Sequence, residues 1–263
     1  MVNPNDIKTI FSFFFKAGMR GKRTRLFFIF SAFPALIFIL IRIVAFLRPE
    51  STFYFSSLFH NIGGIFYFQL FIQVLSLFFG SAVLNDEIEE KTLVYLTSSP
   101  VSRGSIFAGK FLAGFAISGI IVGSGLLVTF VIANFGDLLD PNFIAQLGVF
   151  LGAALLAILA YSAFFALLGT LMRKSVMLGI LFIFGWESFV QFFPGSTQKL
   201  TINHFVKSLL PTQVSGSNNF LSFQLAPSPV WEAILVLLFL AVVCMTLSVF
   251  IFYNKEYTLS DHE

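Results

Sequence analysis

Residues 112–135 read LAGFAISGIIVGSGLLVTFVIANF and contain no charged side chain. An uncharged apolar run of about 20 residues is long enough to cross the hydrocarbon core of a bilayer as a helix. Similar runs recur along the 263-residue chain, in which 57% of residues are hydrophobic and only 11% are charged. Soluble domains average about 45–50% apolar and about 25% charged residues. The composition therefore excludes a water-soluble globule and indicates an integral membrane protein.

Six apolar runs predict six transmembrane helices, so the expected fold class is all-α. A helix is expected for each run because every backbone polar group in lipid needs an internal partner. The predicted spans are 26–47, 59–83, 112–135, 143–172, 175–193 and 231–253. They define a transmembrane domain over 26–253, which is preceded by a polar segment at 1–25 and followed by a tail at 254–263.

The distribution of lysine and arginine predicts the orientation of these spans. Basic residues on one predicted side are Lys8, Lys16, Arg20, Lys22, Arg23, Arg25, Lys91, Arg103, Lys110, Arg173, Lys174 and Lys255. The opposite loops contain only Arg48, Lys199 and Lys207. Because positive charge is retained in the cytoplasm, both termini are expected inside the cell. The net charge of +3 is explained by this orientation, and no nucleic-acid partner is expected.

Two amphipathic segments flank the predicted spans. Ile7, Ile10, Phe11 and Phe14 fall on one helical face, which predicts an N-terminal helix in the membrane interface, or alternatively a helix packed on a partner. Within the outer segment 194–229, a second apolar stripe ends at a proline that cannot continue a helix. Its members are Ile202, Phe205, Val206, Leu209 and Leu210, and they predict a short helix on, or dipping into, the outer face. Residues 212–229 are expected to form a loop.

Small residues repeat at four-residue spacing in two spans. Gly119 and Gly123 lie in the third span, and Gly148 and Gly152 lie in the fourth. This spacing usually permits close approach of two helix backbones in lipid. It leaves open whether the partner helix belongs to the same chain or to a second one.

An acidic cluster follows the second predicted span on the cytoplasmic side. It contains four of the chain's 13 acidic residues, Asp86, Glu87, Glu89 and Glu90. Anionic lipid headgroups attract basic residues rather than acidic ones. The cluster is therefore expected to contact a protein, although a solvated connector of mixed charge is the alternative.

The residues around this cluster resemble a known family. Residues 87–96 read EIEEKTLVYL and are followed by SPVSR at 99–103 and by Gly109 and Lys110. This order resembles the signature of type-2 ABC transporter permeases, many of which have glycine at the position of Lys91. The resemblance implies a six-span exporter subunit in the inner (cytoplasmic) membrane. It also implies a separate cytoplasmic ABC ATPase, a second permease copy as homo- or heterodimer partner, and contact with membrane lipids.

The resemblance places a coupling helix for the ATPase within the cytoplasmic segment 84–105. The residues that it assigns to coupling are Asp86, Glu87, Glu89, Glu90, Lys91, Thr92, Pro100 and Arg103. ATP and magnesium would bind to the partner ATPase, and no cofactor or ATPase site is expected on this chain. A short rigid helix tied to two membrane helices can transmit a rigid-body movement of a docked motor.

Two apparent ligand motifs are excluded. Residues 104–110 read GSIFAGK and match the start of a phosphate-binding loop, but Phe111 replaces the serine or threonine that would bind magnesium. The single Cys244 and the separated His60, His204 and His262 lack the spacing of a metal site. No metal and no catalytic constellation are expected.

Four polar residues fall inside the predicted spans. Arg42 and Glu187 are both expected in the outer half of the membrane, and we hypothesise that they pair, because intramembrane charges are costly without a partner. Snorkelling of Arg42 to the outer headgroups is the alternative. Gln69 and Gln73 lie one turn apart and are expected to form hydrogen bonds across helices.

Two other functional classes remain open from the residues alone. A lipid-modifying membrane enzyme would need a constellation of His, Asp or metal ligands at the interface. An ion-coupled carrier could use Glu187 as its coupling carboxyl, but the internal repeats or broken helices typical of carriers are not detected.

Overall fold

The computed structural model describes residues 4–47, 58–89, 102–135, 141–172, 174–190, 196–210 and 228–254. Within these ranges the chain is helical apart from short turns, and it contains no strand. Helices of spanning length and hydropathy occupy Lys22–Leu47, Ile65–Val83, Arg103–Ala133, Asn142–Leu171 and Val230–Asn254. Five of the six predicted spans therefore coincide with such helices. The chain has the fold of a multi-pass helical membrane protein.

The N-terminal part consists of three consecutive helices. They are α1 (Pro4–Arg20), α2 (Lys22–Ser31) and α3 (Phe33–Leu47). Gly21 separates α1 from α2. Ala32 separates α2 from α3, because Pro34 in the first turn of α3 has no N–H to continue the preceding helix. The apolar face predicted for α1 packs against another helix of this chain, since a Cβ on Gly109 would meet the Ile10 side chain at 2.7 Å.

The central helices extend beyond the predicted spans. Two π-helical segments, Phe59–Gly63 and Ile65–Phe71, lead into α4 (Ile72–Glu89). Next come α5 (Arg103–Ala133) and α6 (Pro141–Leu171). Helix α5 starts nine residues before the predicted span at 112, because Ser102 caps it by accepting a hydrogen bond from the Ser105 N–H at 3.3 Å.

Within the described residues, the predicted fifth span, 175–193, corresponds to an irregular helix over 175–190, and residues 191–193 lie outside them. It is built from α7 (Ser175–Leu181), a π-helical segment (Phe182–Glu187) and α8 (Ser188–Val190). At ~1.5 Å per residue it is about 24 Å long, less than the ~30 Å hydrocarbon core. A 3₁₀ turn (Ser196–Leu200), α9 (Ile202–Ser208) and α10 (Val230–Asn254) complete the described chain.

The amphipathic helix predicted in the outer segment is confirmed as α9, and it is more buried than a surface helix. Phe205 and Val206 belong to the same buried core as Leu237 of α10 and Phe150 of α6. Contacts with α10, α6 and the π-helical segment Ile65–Phe71 surround α9. The helix therefore packs into one end of the bundle.

Glycines allow the central helices to touch through their backbones. A Cβ on Gly80 of α4 would lie 2.7 Å from the Ser162 carbonyl oxygen of α6, and a Cβ on Gly169 of α6 would lie 2.8 Å from the Ser81 carbonyl oxygen of α4. Gly125 of α5 accommodates Ser31, whose hydroxyl donates to the Ile121 carbonyl at 2.8 Å. Such close approach is the usual means of helix association in lipid.

The glycine pairs predicted from four-residue spacing do not make these close contacts. A Cβ on Gly148 or Gly152 would meet no described atom within 4 Å, and both glycines are exposed on α6. Gly119 and Gly123 face leucine side chains of α6 at 3.3 and 4.0 Å rather than backbone. Within one chain the close α4–α6 contact therefore uses Gly80 and Gly169, while the exposed Gly148 and Gly152 keep the alternative of a helix from a second chain open.

Candidate functional site

One end of the bundle carries the beginning of the segment predicted to couple to an ATPase. Helix α4 continues without a break from the apolar region through Glu89, so the backbones of Asp86, Glu87 and Glu89 belong to its last turns. The predicted coupling residues Glu90, Lys91, Thr92 and Pro100 lie outside the described residues. The first part of the acidic cluster is thus a direct extension of a membrane helix.

Arg103 stands at the start of α5, where the chain returns to the bundle. Its Nη1 donates to the Tyr253 carbonyl oxygen at 3.4 Å. Tyr253 lies in the last turn of α10, where carbonyl groups lack helical partners and attract cations. Arg103 therefore connects the end of the predicted coupling segment to the C-terminal helix.

The opposite end of the bundle contains a polar cluster around Glu187, whose side chain is 0% exposed. Its Oε1 accepts a hydrogen bond from the Ile202 N–H at 3.0 Å, and its Oε2 accepts one from the Asn203 N–H at 3.2 Å. The Thr201 hydroxyl accepts from the His204 N–H at 3.2 Å. Three of the four N–H groups that a helix start leaves unpaired are therefore satisfied in a buried position. Glu187 fixes the beginning of α9.

Tyr161 and Gln73 extend this cluster into the middle of the bundle. The Tyr161 hydroxyl forms a hydrogen bond with the Glu187 carboxylate. Gln73 Nε2 donates to the Tyr161 hydroxyl oxygen at 3.0 Å. Tyr161 and Gln73 are 0% and 1% exposed, so each polar atom depends on the others for its hydrogen bonds. The chain of contacts joins α4, α6 and the π-helical segment of the fifth helix to α9.

Lys207 and Gln69 form the other side of the cluster. Lys207 Nζ donates to Gln69 Oε1 at 3.1 Å, which ties α9 to the π-helical segment before α4. Burial lowers the pKa of Lys207 to about 8, against the attraction of the Glu187 carboxylate, which acts to raise it. Gln69 and Gln73 therefore bond across helices as predicted, and both do so with residues of the Glu187 cluster.

His204 connects α9 to the beginning of α10. Its Nε2 lies 3.1 Å from the Ser228 hydroxyl, and the Ser228 N–H donates to the Ser208 hydroxyl at 3.2 Å. Burial lowers the pKa of His204, which favours the neutral ring. Within the described ranges, no three His, Cys, Asp or Glu side chains are grouped so that they could hold a metal ion.

Arg42 lies at a different place and has different partners. Its Nε donates to the Ile132 carbonyl at 2.8 Å, and its Nη2 donates to the carbonyls of Ala133 and Phe135 at 3.3 and 2.9 Å. These carbonyls belong to the C-terminal end of α5, where helix carbonyls lack intrahelical partners. The expected pair of Arg42 and Glu187 is not among these contacts, which join each charge to the backbone end of a helix.

The sequence did not indicate that Tyr161 and Lys207 would lie next to Glu187, Gln69 and Gln73. Lys207 counts in the sequence only as one of the few basic residues of the predicted outer loops, and Tyr161 is one of the aromatic residues of the fourth predicted span. The position of Lys207 directly after the apolar Phe205 and Val206 is the signal that could have indicated its burial. No comparable signal distinguishes Tyr161 from the many aromatic residues of the spans.

Comparison with known proteins agrees with this architecture. A bundle of long apolar helices, with a buried polar cluster near one end and acidic residues on a helix at the other, is the architecture of a multi-pass membrane protein. The family model described as ABC-2 family transporter protein matches residues 7–257. The chain therefore belongs to the ABC-2 transporter family and is a membrane permease of an ABC transporter, a transport subunit of a kind that generally works with a cytoplasmic ATPase. No curated protein matches the chain.

Proposed function

We propose that this chain is the permease subunit of an ATP-driven exporter in the inner (cytoplasmic) membrane, with both termini and the segment 84–105 in the cytoplasm. Two permease copies, or this chain and a related one, would enclose the path, and two separate ATPases would supply the energy. Membership of the ABC-2 family supports a partner ATPase. The observation that carries the coupling role is the continuity of α4 from the bilayer region through Glu89.

Coupling would work through the acidic end of α4. A movement of a docked ATPase would reach the bundle as a displacement of α4 and α5, because the predicted coupling segment ends on these two helices. The contacts must differ between nucleotide states, since a partner shifts an equilibrium only by its differential affinity. Glu187 has a positioning role in this proposal, because both of its oxygens already accept hydrogen bonds from α9.

The coupling role is tested by reversing charge in the cluster. In the variant E87K/E89K/E90K we expect correct insertion, loss of the bound ATPase on purification, and loss of transport-linked ATP hydrolysis. The matched control is E256K/D261K/E263K, which makes the same change of charge in the C-terminal tail and should retain both. Unchanged ATPase binding and hydrolysis in the cluster variant would refute the coupling role of these carboxylates.

The orientation is tested separately by cysteine accessibility in a C244S background. A membrane-impermeant thiol reagent added to intact cells should label Lys199→Cys and should leave Glu89→Cys unlabelled until the membrane is opened. Labelling of Glu89→Cys from outside would overturn the proposed orientation and the coupling role with it.

A further inference from the structure

A cavity of about 850 Å³ lies where the N-terminal helices meet the inner ends of α4 and α5. Its size falls within the ~300–1,000 Å³ range of sites that bind small molecules. It is separate from the Glu187 cluster, because none of its described lining residues belongs to that cluster. The cavity is therefore considered as a separate binding site.

The cavity has an apolar interior and a cationic boundary. Phe27, Phe78 and Phe79 contribute aromatic surface, while Lys22, Arg23 and Lys110 contribute the charges. Every charged residue among its described lining residues is a lysine or an arginine. An occupant with one anionic group and an apolar body matches this division.

The position of the charges along the chain gives the depth of the site. Lys22, Arg23 and Arg25 lie in the first turn of α2, and the chain then has no charged residue until Arg42. Such a transition marks the level of the lipid headgroups, because basic residues remain near phosphates while apolar side chains enter the acyl region. The cavity spans this level, since it reaches from Lys22 to Phe27 on one side and to Ile117 of α5 on the other.

Lys110 is the most buried charge of the site. Its side chain is 8% exposed, and its Nζ lies 4.9 Å from the centre of the Phe14 ring, a cation–π distance. The exposed side chains of Lys22 and Arg23 stand on α2, on the other side of the cavity. Positive charge thus surrounds the space from two helices.

We propose that this cavity is a binding site for one anionic phospholipid of the leaflet in which α1 lies. The headgroup phosphate binds between Lys22, Arg23 and Lys110, and an acyl chain occupies the aromatic interior. The bound lipid completes the packing between α1, α2 and the inner ends of α4 and α5. This site is independent of the proposed function, because it needs neither an ATPase nor a particular direction of transport.

The experiment titrates phosphatidylglycerol, phosphatidylcholine or inorganic phosphate into the full-length protein, purified in detergent and depleted of lipid, and follows binding by native mass spectrometry and thermal unfolding. Three variants are compared. K22Q/R23Q removes two charges from the cavity, and A82F places a ring in it. K8Q/K16Q is the matched control, because it removes two exposed charges of α1 that do not line the cavity.

We expect the wild type to bind phosphatidylglycerol in preference to phosphatidylcholine, with little response to inorganic phosphate. Each removed cavity charge should weaken binding about fivefold, so K22Q/R23Q should bind roughly 25-fold more weakly. A82F should also weaken binding, and K8Q/K16Q should change it little.

Four results would overturn the proposal. Equal binding of phosphatidylcholine would remove the anionic specificity, and full competition by inorganic phosphate would indicate a free-phosphate site. Equal weakening in K8Q/K16Q, or unchanged binding in K22Q/R23Q, would show that general surface charge attracts the lipid. If A82F does not fold, the comparison of the two charge variants decides the question.

Discussion

Glu187 and Arg42 are both charged residues of apolar helices, and the structure satisfies them in different ways. Glu187 is fully buried and accepts hydrogen bonds from the first N–H groups of α9. Arg42 is half-buried and donates to carbonyls at the last turn of α5. Helix N-termini carry partial positive charge and C-termini carry partial negative charge. Each side chain is therefore matched to a helix end of opposite sign, so neither needs the other.

The largest expected loss of stability comes from removing the fully buried carboxylate of Glu187. Glu187→Ala leaves two buried N–H groups without acceptors and removes the partner of Tyr161 and Lys207. We expect a loss of about 3–5 kcal/mol in the free energy of unfolding, as for breaking a buried charge pair. Glu232→Ala, at a half-buried carboxylate of α10, is the control for unfolding measurements in detergent and should cost far less. An equal loss in both variants would contradict the anchoring role of Glu187.

A smaller loss of stability is expected from replacing the half-buried Arg42. Arg42→Met removes hydrogen bonds to the end of α5 and should cost about 1.5–3 kcal/mol, measured by the same unfolding experiment. The effect is smaller because the partially exposed carbonyls can regain water. Arg42→Lys keeps the charge and should recover part of the loss. A loss in Arg42→Met larger than that in Glu187→Ala would reverse the comparison.

Exchange of the two charges provides a direct control for both variants. If the residues paired, R42E/E187R would be more stable than either single variant. The structure predicts no such rescue, because a glutamate at position 42 would face carbonyl oxygens and an arginine at position 187 would face N–H groups. Recovery in the exchanged variant would restore the hypothesis of a direct pair.

The smallest effect, measured per pH unit, concerns the dependence of stability on pH at the buried cluster. The pKa of Lys207 is about 8 in the folded protein, compared with an ordinary value of 10.5. Between these values the folded chain has released a proton that the unfolded chain retains, so stability should rise with pH, by at most about 1.4 kcal/mol per unit. Lys207→Met should lose this rise in unfolding measurements from pH 7 to 10. Lys199→Met, at an exposed position, should keep it, and a rise retained in Lys207→Met would refute the assignment.

The sequence predicts the helices of this fold better than their contacts. The last predicted span, 231–253, differs by one residue at each end from Val230–Asn254, because apolar run length is a local property. The outer helix was also predictable, since its apolar stripe and Pro211 are local signals. The partners of Glu187 and Arg42 were not, because they depend on how α9 and α5 end against other helices. Gln69 and Gln73 were correctly expected to bond across helices, but the sequence did not reveal that they meet Lys207 and Tyr161.

Helix α4 connects the buried polar cluster at one end of the bundle to the acidic residues at the other end. Gln73, which contacts the buried cluster, and Glu89, at the acidic end, lie on one uninterrupted helix. At ~1.5 Å per residue the two positions are about 24 Å apart along its axis. A hydrogen-bonded α-helix resists compression along its axis. A displacement of the acidic end of α4 along this axis would therefore move Gln73 by a similar distance and change the length of its hydrogen bond to Tyr161. The position of α9, which Glu187 holds through its first N–H groups, would therefore respond to a displacement at the acidic end of α4.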